Sequence, residues 1–260
     1  MRGPDAMHRF KAEDLNVEIH ADPKSASEAA ANDAARTLAR LGEMEDEIGV
    51  VFATGASQMS TLEALTSMPA LPWNKVGGFH LDEYVGLPVE HPASFRGYLR
   101  RYLTSKVAMR EFYEIDGTAA NVEEVGEQYA ARLRVVNPRL CLLGVGENGH
   151  LAFNDPAEAD FEDVLDVKIV RLDAACRQQQ VSEGWFGSLD EVPQRAITVT
   201  IPALFRVPRL ILTVVGPRKA QAVKDMLRGP ISTSCPASIL RQHSDATVYL
   251  DREAAAYVLA

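Results

Sequence analysis

Short apolar runs alternate along this chain with longer amphipathic stretches. A nearly continuous apolar run that is too short for a helix predicts a strand buried on both faces. Four such runs, together with shorter alternating or mixed segments, predict strands at residues 16–21, 48–54, 76–81, 111–115, 140–143, 167–172, 196–200, 210–215 and 246–250.

The stretches between these strands predict helices. In residues 95–103 the apolar side chains fall on one helical face, and Ser94 stands where a capping residue is favoured. Further helices are predicted within residues 23–41, 58–67, 122–133, 173–181, 219–227 and 236–242 and beyond residue 252, while residues 1–15 are polar and are expected to be irregular.

Strands that alternate with helices throughout a chain predict an α/β fold. We expect a Rossmann-like, mainly parallel sheet with helices on both faces. The sequence contains no linker, repeat or low-complexity segment, so we expect residues 1–260 to form a single domain.

Composition narrows the classes of partner. The 260 residues carry a net charge of −9, which disfavours nucleic acid and anionic membrane as partners but allows a phosphorylated metabolite in a locally positive pocket. No apolar run approaches the ~20 residues of a membrane span, and the first residues lack the apolar core of a signal peptide. We therefore expect a cytoplasmic protein.

The spacing of cysteines and histidines argues against a metal site. The three cysteines are far apart and odd in number, so they indicate neither a disulfide framework nor a zinc site and fit a reducing compartment. No pair of histidines has the spacing of metal ligands. We therefore predict no metal.

The most informative stretch is residues 140–156, where an apolar strand ends in three glycines that include Gly146. Glycines at this point let backbone amides approach a ligand, because no Cβ stands in the way. His150 and Asp155 follow, which places a group that titrates near neutral pH and an acid where open α/β sheets bind ligands. A glycine-rich turn with a surface histidine is the alternative interpretation.

Two turns have the composition of an anion site. Residues 54–57, Thr-Gly-Ala-Ser, precede a predicted helix, and the amides and dipole of a helix N-terminus attract negative charge. They are not a Walker loop, because the Gly-Lys-Ser/Thr ending is missing. The turn at residues 216–219 adds two cations, and the two turns together would clamp one phosphate. The alternatives are a simple helix cap by Ser57 and an ordinary surface lysine at Lys219.

Asp82 and Glu83 close the strand predicted at residues 76–81. A carboxylate in a partly dry cleft can transfer a carbon-bound proton, whereas the alternative is a pair of exposed loop acids. In a parallel sheet, the polar turns that follow buried strands all lie at one carboxyl edge. We therefore expect one cleft formed by residues 54–58, 82–84, 144–155 and 216–219.

Taken in order, these segments resemble the glucosamine-6-phosphate deaminase (isomerase) family. The resemblance rests on Phe-His-Leu-Asp-Glu-Tyr-Val-Gly-Leu-Pro at 79–88, His-Pro-Ala-Ser at 91–94 and Gly-Val-Gly-Glu-Asn-Gly-His-Leu-Ala-Phe-Asn-Asp-Pro at 144–156, with matching segments at 54–58, 192–198 and 216–219. It extends from about residue 16 to 251. It implies a Rossmann-like fold and the conversion of glucosamine 6-phosphate and water to fructose 6-phosphate and ammonia, without a metal or other cofactor.

The resemblance also implies roles for individual residues. Asp82 corresponds to the base that moves a proton from C2 to C1 through an enol-type intermediate. His150 corresponds to the acid/base that opens the sugar ring, and Asp155 to the carboxylate that supports it. For the phosphate and the rest of the substrate, we expect contacts from Thr54, Gly55, Ala56, Ser57, Glu83, Gly146 and Lys219.

Three positions depart from the family's pattern. Asn148 stands where the family commonly has aspartate; we count it among the catalytic residues, because it can orient His150, but expect a lower proton affinity of the imidazole without the charge. Asp155 replaces a glutamate and is one methylene shorter. The family's phosphate-binding arginine has no match near residues 183–186, and Arg177 is the expected substitute. These changes leave the hexosamine epimer open.

Two other functions compete with the deaminase. The 6-phosphogluconolactonases share the fold and the glycine pattern, but they typically carry Asp-Glu-Arg where this chain has Asp-Glu-Tyr at 82–84, and a Leu-Phe-Pro type of ending where it has Phe-Asn-Asp-Pro at 153–156. A non-catalytic sugar-phosphate-binding module is the other alternative, although residues 1–15 are too short for the helix-turn-helix of related regulators.

Regulation and assembly are less well defined by the sequence. The residues around 166–169 match the allosteric pocket of regulated family members poorly, so we expect no amino-sugar allostery. The expected partner is a small hexosamine 6-phosphate, and the subunit count stays open, with a homo-oligomer as one outcome.

Overall fold

The computed structural model describes residues 4–172, 174–182 and 184–259, and eleven strands lie within these ranges. They are β1 (His8–Ala12), β2 (Leu15–His20), β3 (Ile48–Phe52), β4 (Val76–His80), β5 (Asp82–Tyr84), β6 (Glu111–Phe112), β7 (Leu140–Leu143), β8 (Val167–Arg171), β9 (Arg195–Val199), β10 (Arg209–Val214) and β11 (Ala246–Asp251).

Eight α-helices connect or flank the strands in the same ranges. They are α1 (Pro23–Met44), α2 (Ala56–Thr66), α3 (Phe95–Leu99), α4 (Val122–Val136), α5 (Ala174–Ser182), α6 (Ile201–Phe205), α7 (Ala220–Arg228) and α8 (Ala256–Leu259). A π-helical turn, Arg100–Thr104, continues α3, and 3₁₀ turns lie at Trp73–Lys75, Leu189–Glu191, Pro217–Lys219 and Pro236–Gln242. Within the described residues, no helix combines the length and apolar character needed to cross a membrane.

Local sequence explains where several helices begin. The side chain of Asp22 accepts a hydrogen bond from the Ser25 amide, the Ser25 side chain returns to the Asp22 backbone, and Pro23 occupies the first turn of α1. Ser94 caps α3 as the sequence predicts, because its side chain accepts from the amide of Gly97.

The main sheet has eight strands in the order β1-β2-β11-β10-β7-β3-β4-β6. Strands β1 and β2 are antiparallel, and the other neighbouring pairs are parallel. The α/β fold with a mainly parallel sheet is therefore confirmed. The parallel strands β3, β7 and β10 are adjacent, so the loops that follow them leave the sheet at the same edge.

Helices cover both faces of this sheet. On β3, Val51 packs into a cluster with residues of α4 and α7, whereas Val50 and Phe52 pack into a second cluster with residues of α1 and α2. Successive strand residues point to opposite faces, so a strand that is buried along its whole length needs a cover on each side. This requirement is why central strands such as β3 are apolar throughout.

A second sheet of three antiparallel strands, β5-β9-β8, stands beside the main sheet. The sequence correctly places strands near β8 and β9, but it predicts neither their antiparallel pairing nor a separate sheet. Asp82 of β5 lies opposite Thr198 of β9. The residues after β4 therefore do not simply leave the main sheet as a loop; they are fixed by a second set of backbone hydrogen bonds.

The expectation that residues 1–15 are irregular is wrong. Residues His8–Ala12 form β1, which pairs with β2 at the edge of the main sheet, and Leu15 begins β2. Most side chains of β1 are exposed. An edge strand with water on both faces has no alternation of apolar and polar residues, so its sequence gives no strand signal.

Candidate active site

A cleft of about 410 Å³ opens at the carboxyl edge of the main sheet. The four segments that the sequence assigns to one cleft all contribute to it, because the loops after β3, β7 and β10 and the start of β5 line its walls. Of the residues predicted for the site, the structure brings together Thr54, Gly55, Ala56, Ser57, Asp82, Gly146, His150 and Lys219.

One end of the cleft is formed by the N-terminus of α2. Gly55, and not Ser57, is the capping residue, and no side chain caps this end of the helix. Gly55 has φ +100°, a conformation that strongly favours glycine. The hydroxyl of Tyr98 donates to the Gly55 carbonyl at 3.0 Å and holds the turn in place. The first amides of α2 thus point to a space where an anion is favoured.

The turn after β10 brings positive charge to the same cleft. Gly216 has φ +92°, and its amide donates to the Asp251 carboxylate at 3.0 Å. The turn presents Arg218 and Lys219 to the cleft, and Arg218 lies 3.3 Å from the carboxylate of Glu147 on the opposite loop. A helix N-terminus and two cations therefore surround the same space, as the two-turn clamp requires.

Buried Gln58 connects the strands that carry these turns. Its side-chain amide donates to the carbonyl of Leu143 at the end of β7 and to the carbonyl of Thr213 in β10. The start of α2 is thereby fixed to two neighbouring strands. Relative motion of the anion site and the β7 loop would break buried hydrogen bonds.

His150 lies over the backbone of Gly146. A Cβ on Gly146 would come within 2.2–2.4 Å of the imidazole ring, so the ring can occupy this place only because residue 146 is glycine. The His150 side chain is 14% exposed and faces the cleft, and its Nδ1 lies 2.8 Å from Oδ1 of Asp155. A carboxylate in this position fixes the orientation of the ring and stabilises its protonated form.

Asp155 is fully buried behind His150. Burial alone would raise the pKa of this carboxyl, but hydrogen bonds from His150, from the Asn148 amide and from the Cys176 thiol together lower it below its ordinary value. The Asp155 side chain is therefore held in its charged form next to the imidazole.

From the sequence we expected Asn148 to orient the imidazole of His150 by a hydrogen bond, but its side chain bonds to other groups. Its Nδ2 donates to Asp155 Oδ1 at 2.9 Å, and its Oδ1 accepts from the backbone amide of His150 at 3.1 Å. The side chain thus acts on the supporting carboxylate and on the loop conformation. The predicted effect of Asn148 on the proton affinity of His150 stays a prediction.

Asp82 is 6% exposed and lies at the floor of the cleft. Its pKa is raised well above the ordinary value, first by burial and then by the negative charges of Glu83 and Asp155. A carboxylate whose pKa is raised is a stronger base than an exposed one and suits proton abstraction from carbon.

Glu83 does not face the substrate space, contrary to the role we expected. It is fully buried and accepts hydrogen bonds from the Ser94 hydroxyl and from the amides of Tyr84, Phe95 and Arg96. Burial nevertheless raises the pKa of this carboxyl. Glu83 anchors the start of α3 to β5 and does not line the cleft.

Arg177 is not brought to the cleft either. Its guanidinium donates to the backbone carbonyls of Leu189 and Val192, so it fixes the chain after α5. Of the stretch 183–186, where the family's arginine has no match, residue 183 lies outside the described residues. Trp185, in contrast, lines the cleft.

Several lining residues were not assigned to the site from the sequence. They are Tyr98, Glu147, Gln179, Gln180, Trp185 and Arg218. The one usable signal was the position of Arg218 next to Lys219 in the second anion turn. The glutamines and Trp185 lie on or after α5, and nothing in their spacing shows that these side chains line the cleft.

Comparisons with known proteins point to one family. A family described as "Glucosamine-6-phosphate isomerases/6-phosphogluconolactonase" matches residues 21–249. The glucosamine-6-phosphate deaminase of Exiguobacterium sibiricum is 35% identical over 206 residues, which are 78% of this chain and 79% of the relative. That of Pseudarthrobacter chlorophenolicus is 33% identical over 228 residues, 85% of this chain and 86% of the relative.

Solved structures extend the comparison. A monomeric glucosamine-6-phosphate deaminase superposes with a TM-score of 0.84 at 29% identity, covering 93% of this chain and 99% of that one. A 6-phosphogluconolactonase from Thermotoga maritima gives a TM-score of 0.74 at 18% identity, covering 91% and 99%, and this likeness shows the fold alone. Because the family match spans most of the chain and relatives exceed 30% identity, the chain belongs to the glucosamine-6-phosphate isomerase/6-phosphogluconolactonase family.

Proposed function

We propose that the protein is a deaminating aldose–ketose isomerase of the glucosamine-6-phosphate deaminase type. It converts glucosamine 6-phosphate, or an epimer, and water to a ketohexose 6-phosphate and ammonia. The relatives that carry the deaminase name cover most of this chain. The Asp-Glu-Tyr sequence of β5 and the Phe-Asn-Asp-Pro ending after His150 separate it from the lactonase pattern.

The observation that carries the proposal is the placement of Asp82 and His150 in one cleft with an anion site at its end. The phosphate binds at the N-terminus of α2 with Lys219, and Arg218 takes the part that we expected of Arg177. The sugar then extends from this anchor toward the two titratable side chains. Proton transfer needs such a fixed geometry, because the reacting groups must approach within hydrogen-bond distance.

In the first step His150 opens the sugar ring. It takes the proton of the C1 hydroxyl and returns a proton to the ring oxygen, which leaves an aldehyde at C1. The imidazolium that forms in between is stabilised by Asp155, whose lowered pKa keeps it charged.

Asp82 then carries a proton from C2 to C1. The C1 oxygen gains a proton as the nitrogen gives one up, so the amino aldehyde becomes a hydroxy imine. Water adds to C2, ammonia leaves, and a ketose 6-phosphate remains. The raised pKa of Asp82 favours the abstraction step, since a stronger base holds the abstracted proton more tightly.

We also place the protein in the cytoplasm. Cys141, Cys176 and Cys235 are buried and form no disulfide with one another, which fits a reducing compartment. The proposed substrate and product are phosphorylated sugars that act as intermediates in metabolism.

The test is a comparison of two activities on the same preparation. Ammonia release is measured with a panel of hexosamine 6-phosphates, and hydrolysis is measured with 6-phosphogluconolactone. We expect ammonia release from at least one hexosamine and its loss in Asp82→Asn, with ligand binding retained. Lactone hydrolysis without ammonia release would support the lactonase, and saturable binding without turnover would support a non-catalytic module.

A further inference from the structure

Three metal-binding side chains from two separate segments meet beside the cleft. His150 and Asp155 belong to the loop after β7, and Cys176 belongs to α5. One donor atom from each, the imidazole nitrogen, a carboxylate oxygen and the thiol sulfur, lie within 4.8 Å of one another. In the proposed reaction the thiol only supports Asp155 through a hydrogen bond, and the spacing of these residues in the sequence gives no sign of the cluster.

We propose that His150, Asp155 and Cys176 form a site for a soft divalent cation such as Zn²⁺, and that occupancy inhibits the enzyme. Zinc binds imidazole, carboxylate and thiolate ligands, and a tetrahedral site with three protein ligands takes water as the fourth. The charges also balance: a carboxylate and a thiolate neutralise the ion, while the imidazole binds uncharged. A net charge of zero at the site is favourable because Asp155 and Cys176 are buried, where an uncompensated charge is costly.

The geometry requires only small side-chain adjustments. Donor atoms around a tetrahedral zinc stand about 3.3–3.7 Å apart, given metal–ligand distances near 2.0–2.3 Å. In the structure Nδ1 of His150 lies 2.8 Å from Oδ1 of Asp155, and the whole set spans at most 4.8 Å. If Nδ1 of His150 and Oδ1 of Asp155 move slightly apart and the sulfur of Cys176 moves toward them, all three atoms reach the spacing of a tetrahedral site.

Inhibition follows from which atoms the cation uses. Coordination at Nδ1 replaces the hydrogen bond between His150 and Asp155 and leaves the ring proton on Nε2. The imidazole can then no longer cycle between its neutral and protonated forms. The inhibition rests on the proposed function, whereas the binding does not.

The test uses the purified protein after chelation of bound metal. Cobalt(II) serves as the spectroscopic probe, because a cobalt–thiolate bond gives charge-transfer absorption in the near ultraviolet. Zinc affinity is measured by competition with a chromophoric chelator. Cys176→Ser keeps a hydroxyl donor for Asp155 and removes the thiolate. Cys235→Ser is the control, since Cys235 packs against Gly149 but is not in the donor set.

We expect the thiolate–cobalt band in the wild type and in Cys235→Ser and its absence in Cys176→Ser. We also expect zinc affinity to fall at least about tenfold in Cys176→Ser, with a matching rise in the zinc concentration that halves ammonia release. A wild type without the band, or a Cys176→Ser variant with unchanged zinc affinity, would overturn the site. Tight binding with no effect on ammonia release would overturn the inhibition alone. If neither the wild type nor the variants release ammonia, the proposed function is contradicted. The cobalt spectra still test the metal site, because they do not depend on activity.

Discussion

The imidazole of His80 joins the backbone of the proposed base to that of Ile115: its Nδ1 lies 2.8 Å from the carbonyl oxygen of Asp82, and its Nε2 lies 2.8 Å from the amide nitrogen of Ile115. An amide can only donate, so Nε2 accepts and Nδ1 donates to Asp82. Burial lowers the pKa of His80 to about 4, and the ring is therefore neutral at physiological pH.

Replacing His80 by phenylalanine should slow the chemical step. The change leaves the Asp82 carbonyl and the Ile115 amide without partners, at a cost of about 1–3 kcal/mol each in the free energy of unfolding. Because the Asp82 backbone then loses its support, we expect kcat to fall at least about tenfold with little change in KM. Steady-state kinetics and chemical denaturation measure the two effects.

His243 provides a matched control for His80. It is also buried, with Nε2 3.0 Å from the Val207 carbonyl and Nδ1 accepting from the Asp245 amide at 3.1 Å. Neither of these partners lines the cleft, whereas Asp82, the partner of His80, does. His243→Phe should cost a similar free energy of unfolding and leave kcat unchanged. Equal losses of kcat in the two variants would show that His80 acts only through stability.

Asp82→Asn should remove activity and stabilise the fold. We expect kcat to fall about 10²–10⁴-fold, because the amide cannot accept the C2 proton. Since burial raises the pKa of Asp82, the folded protein disfavours its charged form. The wild type is therefore less stable than the variant at neutral pH, by about 1.4 kcal/mol for each unit by which the pKa is raised.

The difference between wild type and Asp82→Asn should depend on pH with a defined sign. Below the unfolded pKa of an aspartate, about 3.9, the carboxyl is protonated in both states and the difference vanishes. It grows as pH rises toward the raised pKa of the folded protein and is constant above it. Denaturation curves over this range give the measurement, and a stabilisation that is independent of pH would contradict a raised pKa. Ammonia release by the wild type should decline on the acid side of the same pKa.

Lys219→Ala should weaken binding of the phosphate. A charge-assisted hydrogen bond contributes about 1.5–3 kcal/mol, so KM should rise roughly 10–100-fold with a smaller change in kcat. Lys224 is exposed on α7 and is the control, because its loss should leave both constants unchanged. An unchanged KM in Lys219→Ala removes this residue from the clamp.

Arg218 and Arg177 offer a direct comparison of two candidates for the phosphate-binding arginine. Arg218→Ala should raise KM for the sugar phosphate, since Arg218 lines the cleft beside Lys219. Arg177→Ala should lower the free energy of unfolding, because two backbone carbonyls lose their donor, and should leave KM unchanged. The opposite pattern, with KM sensitive only to Arg177, would restore the expectation from the sequence.

Restoring the family's usual aspartate at position 148 should harm this chain. Asn148→Asp places a second carboxylate about where the amide now donates to Asp155 at 2.9 Å. Like charges at this distance raise the pKa of the pair, so we expect a loss of about 1–3 kcal/mol in the free energy of unfolding at neutral pH. The loss should shrink as pH falls and the pair takes up a proton. Asn148→Ala removes the donor without adding charge, and an Asp variant as stable as this control at neutral pH would contradict the repulsion.

The sequence by itself determined the α/β architecture and the segments that form the cleft. Buried strands such as 140–143 and 210–215 are apolar along their whole length, and this signal is local. The turns that contain Gly55 and Gly216 after such strands could also be predicted from the sequence. Because parallel strands end at one edge, the sequence also predicted that Asp82, His150 and Lys219 converge, although the second sheet that holds Asp82 was not foreseen.

Only the tertiary structure decided the direction and partners of individual side chains. Asp82 and Glu83 are neighbours with the same charge, yet one faces the cleft and the other anchors α3, because successive residues of a strand point to opposite sides. Arg177 binds carbonyls that a loop brings to it, and Cys176 meets Asp155 across two segments. Such contacts join residues far apart in the chain and depend on how the elements pack, and no local pattern of apolar and polar residues encodes them.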